Sequence, residues 1–229
     1  YMILLARTDP DAPRKYDGLS VCLAPMKIPG VETHPIRKLT GEYGFTQTFF
    51  TDARIPADGL MGEEGEGWKV AMRTLEYERG ARGGQAGGYV VTERDAFDVL
   101  DLARRMTRGG KPVLDDPVLK DRLMDFIIEI QGNRLCHERQ KVAPLTADRP
   151  MGLPLSSKLM TTEMVRRLNE FAVTLTGPRA GYYVGDDNAV DEGIWTRGYL
   201  NSFSATIGGG TSQIQHNIIG EHVLGLPKS

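Results

Sequence analysis

The run Gly62-Glu-Glu-Gly-Glu-Gly-Trp68 divides the chain into two characters. Before it, short apolar runs alternate with Pro/Gly punctuation. Tyr1–Arg7 is apolar and is followed by the turn-rich Thr8-Asp-Pro-Asp-Ala-Pro13, and Leu19–Ala24 is closed by Pro25. Val31–Ile36 follows Pro29-Gly30, and Gly44–Thr51 is rich in Phe and Thr, a strand composition. After it the strand signals stop and helical patterns begin. One long helix is expected from Trp68 to about Met106, and a second from Asp115-Asp-Pro117 to about Ala143. A third runs from Leu155 to about Leu175, a shorter fourth from Asp191 to about Ser202, and a last starts at Thr211. The fold class is therefore α+β. A partial antiparallel β-barrel or sandwich over residues 1–62 precedes an antiparallel four-helix bundle with an extra terminal helix over 63–229.

Composition excludes several function classes. With 40% hydrophobic residues, 25% charged residues and a net charge of −2, the chain gives no reason to invoke nucleic acid or an anionic surface. No apolar run approaches the roughly 18 residues of a membrane span, and no secretory leader is visible. Cys22 and Cys136 lie far apart without CxxC spacing, which fits a reduced cytoplasmic setting. His34, His137, His216 and His222 make no metal-ligand pattern. Tyr1-Met-Ile-Leu-Leu-Ala6 starts in mid-strand, as expected of part of a longer protein.

The other informative stretch is Thr206-Ile-Gly-Gly-Gly-Thr-Ser-Gln-Ile-Gln-His-Asn-Ile-Ile-Gly-Glu-His-Val-Leu-Gly-Leu-Pro227. Thr211 stands where an N-cap belongs, with Ile214, Ile218, Ile219 and Val223 at helical spacing behind it. A glycine loop opening a helix suits a phosphate or another polar ligand group. Spacing alone favours a terminal helix that needs only a pliant entry, because no Gly-Lys-Ser/Thr follows to decide for phosphate.

The first long helix carries Arg73, Glu76, Glu78, Arg79 and Arg82 amid Ala71, Met72 and Leu75. At about 100° per residue, Glu78 lies about 20° from Ala71 and about 60° from Leu75, whereas Glu76 points about 160° away from Glu78. A carboxylate on an apolar face has its pKa pushed toward the range of a working base unless a cation neutralises it. Arg82, four residues on, offers that neutralisation. Both readings of Glu78 stand on the residues alone.

Tyr16-Asp-Gly-Leu-Ser20, Pro29-Gly-Val31, Phe49-Phe-Thr-Asp-Ala-Arg-Ile-Pro56, Gly65-Glu-Gly-Trp68 and the closing Gly-Gly-Gly-Thr-Ser-Gln-Ile-Gln…Gly-Leu-Pro resemble the acyl-CoA dehydrogenases, in that family's order and spacing. The resemblance covers essentially the whole chain. It implies the second half of a middle β-domain plus the C-terminal helical bundle, with the N-terminal domain absent. It also implies FAD, an acyl-CoA substrate, α,β-dehydrogenation to the trans-2-enoyl-CoA, electron-transfer flavoprotein as acceptor, and a tetramer formed through the bundle. Relatives of the same fold include flavin oxidases and monooxygenases, and a non-catalytic partner subunit is a third possibility.

The family places its base either in the loop before the last helix or on the first bundle helix. The loop position resembles Gly209, which has no carboxylate, and the helix position resembles Glu78, with Arg79 beside the substrate. Gly208 and Gly209 replace bulkier residues of the pocket wall, which implies room for a branched or bulky acyl group. Thr211 and Gln213 match residues that contact FAD. Arg105 and Arg108, in Arg104-Arg-Met-Thr-Arg-Gly-Gly-Lys111, are the candidates for its pyrophosphate, without the Phe the family carries there. Thr174-Leu-Thr-Gly-Pro-Arg-Ala-Gly181 keeps Gly177 of the family's glycine motif and loses its Gln. Half of the FAD site that a neighbouring subunit supplies is thus degraded. That is the pattern of heterotetramers with fewer flavins than subunits, and the chain by itself is expected to hold FAD weakly.

Overall fold

The structure, a computed structural model, describes residues 1–78, 93–145 and 152–227. The chain forms two compact units, Tyr1–Gly88 and Tyr89–Ser229.

In the first unit, β1 (Met2–Arg7) pairs antiparallel with β2 (Leu19–Ala24), from Met2 opposite Ala24 to Arg7 opposite Leu19. Their connection is closed by the Thr8 N–H donating to Gly18 O at 2.8 Å and by a 2.7 Å hydroxyl contact between Thr8 and Ser20. β3 (Val31–Arg37) and β4 (Tyr43–Phe50) make a separate hairpin, and β5 (Leu60–Met61) adds to the free edge of β2. The four expected strands are present within a residue or two of their expected ends, and β5 is an addition. The described strands do not close into a barrel. They form a three-stranded sheet and a two-stranded one, too few to wrap around an interior.

The stretch that divides the sequence also explains why β gives way to helix. The Gly65 N–H donates to Ser20 Oγ at 3.0 Å. A Cβ on Gly67 would lie 2.6 Å from the Ser20 backbone, so only glycine lets the first turn of α1 (Gly67–Glu78) approach β2 this closely. Trp68 then stacks on Tyr16 at 4.1 Å between ring centroids. Two of the motifs noted above therefore fold against each other. On α1, Ala71 and Leu75 are half-buried while Arg73 and Thr74 are exposed, which is the apolar stripe expected.

The second unit contains α2 (Glu93–Arg105), a short hairpin of β6 (Thr107–Arg108) and β7 (Lys111–Pro112), α3 (Pro117–Gln140), α4 (Gly152–Thr176), α5 (Ile194–Ser202) and α6 (Ser212–Ile218). Residues 79–92 lie outside the described ones; of the helix expected from Trp68 to Met106, α1 and α2 are described, and whether they are one helix falls on residues outside the described ones. Asp116 caps α3, accepting from the Val118 and Leu119 N–H groups, with Pro117 in the first turn. Leu119, Leu123, Phe126 and Ile130 recur along one face of α3 and pack with Met164, Leu168 and Phe171 of α4 and Val99 and Leu102 of α2. α5 begins later than expected. Asp191 and Glu192 adopt left-handed backbone (φ 48° and 57°), so regular helix starts only at Ile194. Thr211 caps α6 as expected, its Oγ1 accepting from the Ile214 N–H at 3.3 Å, and a π-helical turn over Ile219–Val223 continues it. The buried face of α6 is shifted by one residue, since Gln215 is 3% exposed and Ile214 48%.

Candidate functional site

The triglycine loop is tied down by side chains from two helices. Lys158, on α4, donates from Nζ to Gly210 O at 2.7 Å, and Gln215, on α6, donates from Nε2 to Gly209 O at 3.0 Å. Ser212 donates from its hydroxyl to Glu163 Oε1 at 2.6 Å, a second tie between α6 and α4. Burial holds the Lys158 ammonium below its ordinary pKa, and the Glu163 carboxylate opposes that shift. Gly209 and Gly210 have φ of +67° and +102°, a region costly for other residues. A Cβ on Gly210 would sit 2.8 Å from Gln215 Nε2, whereas one on Gly209 would meet nothing nearer than Lys158 Cε at 3.8 Å. The space over Gly209 is open, and Gly208 beside it is half-buried.

The Thr211 hydroxyl uses a lone pair for the cap and keeps its proton for another acceptor. Gln213 is exposed, and Gln215 Oε1 is buried without a hydrogen-bond partner. No single residue of Lys158, Glu163 or Gln215 stood out in the sequence. The signal available was Gln215, a second glutamine beside Ile214 at the start of the helix that Thr211 caps.

The arginines lie elsewhere. Arg105, the last residue of α2, donates from Nη1 and Nη2 to the two carboxylate oxygens of Asp191, each at 2.8 Å. Trp195 Nε1 donates to the same carboxylate at 2.7 Å. Arg105 holds the Asp191 carboxyl below its ordinary pKa, and Asp191 raises that of Arg105. Arg108 donates from Nη2 to Thr174 O at 3.1 Å, three residues before Gly177, which ends α4 with φ +58°. Asp98, Asp101, Arg105, Asn169, Asp191 and Trp195 contribute the polar rim of a cleft of about 710 Å³.

The candidates of this unit thus form two groups at opposite ends of α4. Thr211 and Gln213 belong with Lys158 and Glu163, and Arg105, Arg108 and Gly177 belong with the far end near Thr174. At about 1.5 Å rise per residue, roughly 11 to 16 residues of helix separate the groups by about 16–24 Å. Glu78 closes α1 with its side chain outside the described residues, as is all of Arg79. Among the described residues, no group of three or more His, Cys, Asp or Glu is placed to hold a metal ion. No helix among them is long and apolar enough to cross a membrane.

Residues 65–224 match the family profile described as "Acyl-CoA dehydrogenase, C-terminal domain". The chain is 37% identical over 228 residues to acyl-CoA dehydrogenase IpdE1 of Mycolicibacterium smegmatis, covering 100% of the chain and 54% of that protein. It is 28% identical to the human mitochondrial short-chain specific acyl-CoA dehydrogenase, covering 97% of the chain and 52% of the relative. Among solved structures it superimposes on the Tcur3481-Tcur3483 steroid ACAD with a TM-score of 0.80 at 25% identity, covering 99% of this chain and 56% of that one. The chain spans about half the length of the curated relatives it matches. With 65–224 matched to the C-terminal domain profile, the chain belongs to the acyl-CoA dehydrogenase family.

Proposed function

We propose that the protein to which this chain belongs dehydrogenates an acyl-CoA thioester to the trans-2-enoyl-CoA, with Glu78 as the base. The observation that carries this reading is the triglycine loop. It is held in a fixed, open shape beside a helix cap, with no carboxylate at Gly209. A base is still required, because the α-proton of a thioester is weakly acidic and is removed only by a desolvated, well-placed group. By helical spacing Glu78 falls about 20° from Ala71, and it takes that role by removing the proton to its carboxylate. Arg79 orients the substrate, and the open space over Gly209 admits a branched or bulky acyl chain. The helices of the second unit are read as a bundle through which chains assemble as a tetramer, and electron-transfer flavoprotein as the electron acceptor.

FAD would take the β-hydride when bound. The Thr211 hydroxyl and the exposed Gln213 amide are fitted to hold it, since each has a donor to spare. The far end of α4 fits less well. Arg105 is paired with Asp191, whereas Arg108 spends one N–H on Thr174 O and keeps its charge, so only Arg108 offers an unshared cation to a pyrophosphate. That mismatch favours assembly with a second, different chain and fewer flavins than subunits. A solved structure that the chain resembles carries a paired name, the Tcur3481-Tcur3483 steroid ACAD, which accords with this reading. Glu78→Gln in the purified protein should abolish turnover of acyl-CoA while flavin stays bound. Retained turnover overturns the assignment of the base.

A further inference from the structure

We propose that Lys158 is a positioning residue for the triglycine loop, engaging the Gly210 carbonyl oxygen so that the N–H groups of Gly209–Thr211 are set toward an electron-rich oxygen of the ligand. The proposal rests on the acyl-CoA reading only for the identity of that ligand.

Consecutive glycines have the largest conformational entropy to lose, so an untied Gly208–Gly210 would sample many shapes. Two bonds remove that freedom, Lys158 Nζ to Gly210 O at 2.7 Å and Gln215 Nε2 to Gly209 O at 3.0 Å. The carbonyls of Gly209 and Gly210 are thereby used. The N–H groups of Gly209, Gly210 and Thr211 have no acceptor among the described residues. Gln215 is almost fully buried, so its tie comes from the protein side of the loop. The Lys158 ammonium adds positive potential at the same carbonyl, and its bond is charge-assisted, hence stronger than the neutral one from Gln215. Glu163, which accepts from Ser212, anchors the loop's far side. A loop of fixed donors beside a cation favours an oxygen that gains negative charge, and fixing it in advance removes the ordering cost from binding. That oxygen belongs to a thioester carbonyl or to a phosphate of CoA, and the two are separable by experiment.

The test compares Lys158→Met, Lys158→Arg and Gln215→Met in the purified native protein. Amide hydrogen exchange at Ile214 and Gln215, whose N–H groups donate to Thr211 Oγ1 and O at the end of the loop, and the Kd for CoA and for hexanoyl-CoA are measured for each. Lys158→Met should speed exchange at these two amides about tenfold and weaken hexanoyl-CoA about tenfold with CoA unchanged, while Lys158→Arg restores most of both. Equal weakening of CoA and hexanoyl-CoA assigns the donors to phosphate and leaves the positioning role standing. Unchanged exchange in Lys158→Met, or no recovery in Lys158→Arg, overturns the proposal. Should Lys158→Met fail to fold, Gln215→Met reads the same loop, and unchanged exchange there overturns it as well. Wild-type protein that binds neither probe counts against the acyl-CoA reading, and the exchange comparison still decides the role of Lys158.

Discussion

Arg105 meets Asp191 edge to edge, two 2.8 Å hydrogen bonds joining the end of α2 to a residue whose backbone sits at φ +48°. A non-glycine residue in that region costs of order 1 kcal/mol or more, and Glu192 repeats the cost. The pair, with the Trp195 bond to the same carboxylate, offsets it. The loop before α5 is therefore shaped around Arg105. An arginine that sequence comparison would assign to a ligand is instead committed to its own chain.

The first prediction follows from Asp191's lowered pKa, caused first by the Arg105 hydrogen bonds and helped by Trp195, with burial opposing. A carboxyl lowered on folding stabilises fully above its unfolded pKa of about 3.9, and that contribution disappears as the pH falls below it. The side chains are 55% and 27% exposed, so the pair contributes no more than about 1 kcal/mol. Thermal melting of the wild type should exceed that of Asp191→Asn by a constant few degrees above about pH 5, and the difference should close below about pH 4. A gap that persists undiminished at pH 3 contradicts the assignment.

The same pair predicts how the α2 end treats anions. Calorimetric titration with inorganic pyrophosphate should give the same affinity for wild type and for the double variant Arg105→Gln/Asp191→Asn, because the pair is already neutral toward an anion. Asp191→Asn alone should bind pyrophosphate several-fold tighter, since it frees the guanidinium. A loss of pyrophosphate affinity in the double variant returns Arg105 to the role that the family resemblance implies.

Much of the fold was legible because local chemistry set it. Asp116-Pro117 and Thr211 start helices where their caps and ring geometry dictate, β2 ends before Pro25, and β3 starts after Pro29-Gly30. Two features were not legible. The late start of α5 depends on Asp191 adopting left-handed backbone to reach Arg105, a partner 86 residues away in sequence. The buried face of α6 depends on Gln215 finding Gly209 O, so a polar residue displaces Ile214 from the position that periodicity assigns it. In the candidate site, Thr211 and Gly209 could be read from the sequence, whereas Lys158 and Glu163 act through tertiary contacts that leave no trace in spacing.

Gly67 provides a test of the junction between strand and helix. A Cβ there would lie 2.6 Å from Ser20 Cα and 2.7 Å from Leu19 O, backbone atoms that cannot rotate away. Gly67→Ala should force α1 off β2 and loosen the Tyr16–Trp68 stack, costing about 1–3 kcal/mol despite alanine's better helix propensity. Denaturant melts followed by Trp fluorescence check this, and a stability equal to wild type shows that the approach is less tight than drawn.

Gly209 tests the shape of the pocket wall. Its missing side chain leaves open space whose nearest boundary is Lys158 Cε, at 3.8 Å from the position of a Cβ. Gly209→Leu fills that space, at a cost in backbone strain because φ is +67°. If the space receives the branches of an acyl chain, kcat/KM for a bulky acyl-CoA should fall at least tenfold more than for a straight-chain one. Strain alone lowers both equally, because it disturbs the loop whatever the substrate carries. Equal losses therefore place the acyl branches elsewhere, and a selective loss on the bulky substrate identifies the Gly208–Gly209 edge as the wall that chooses it.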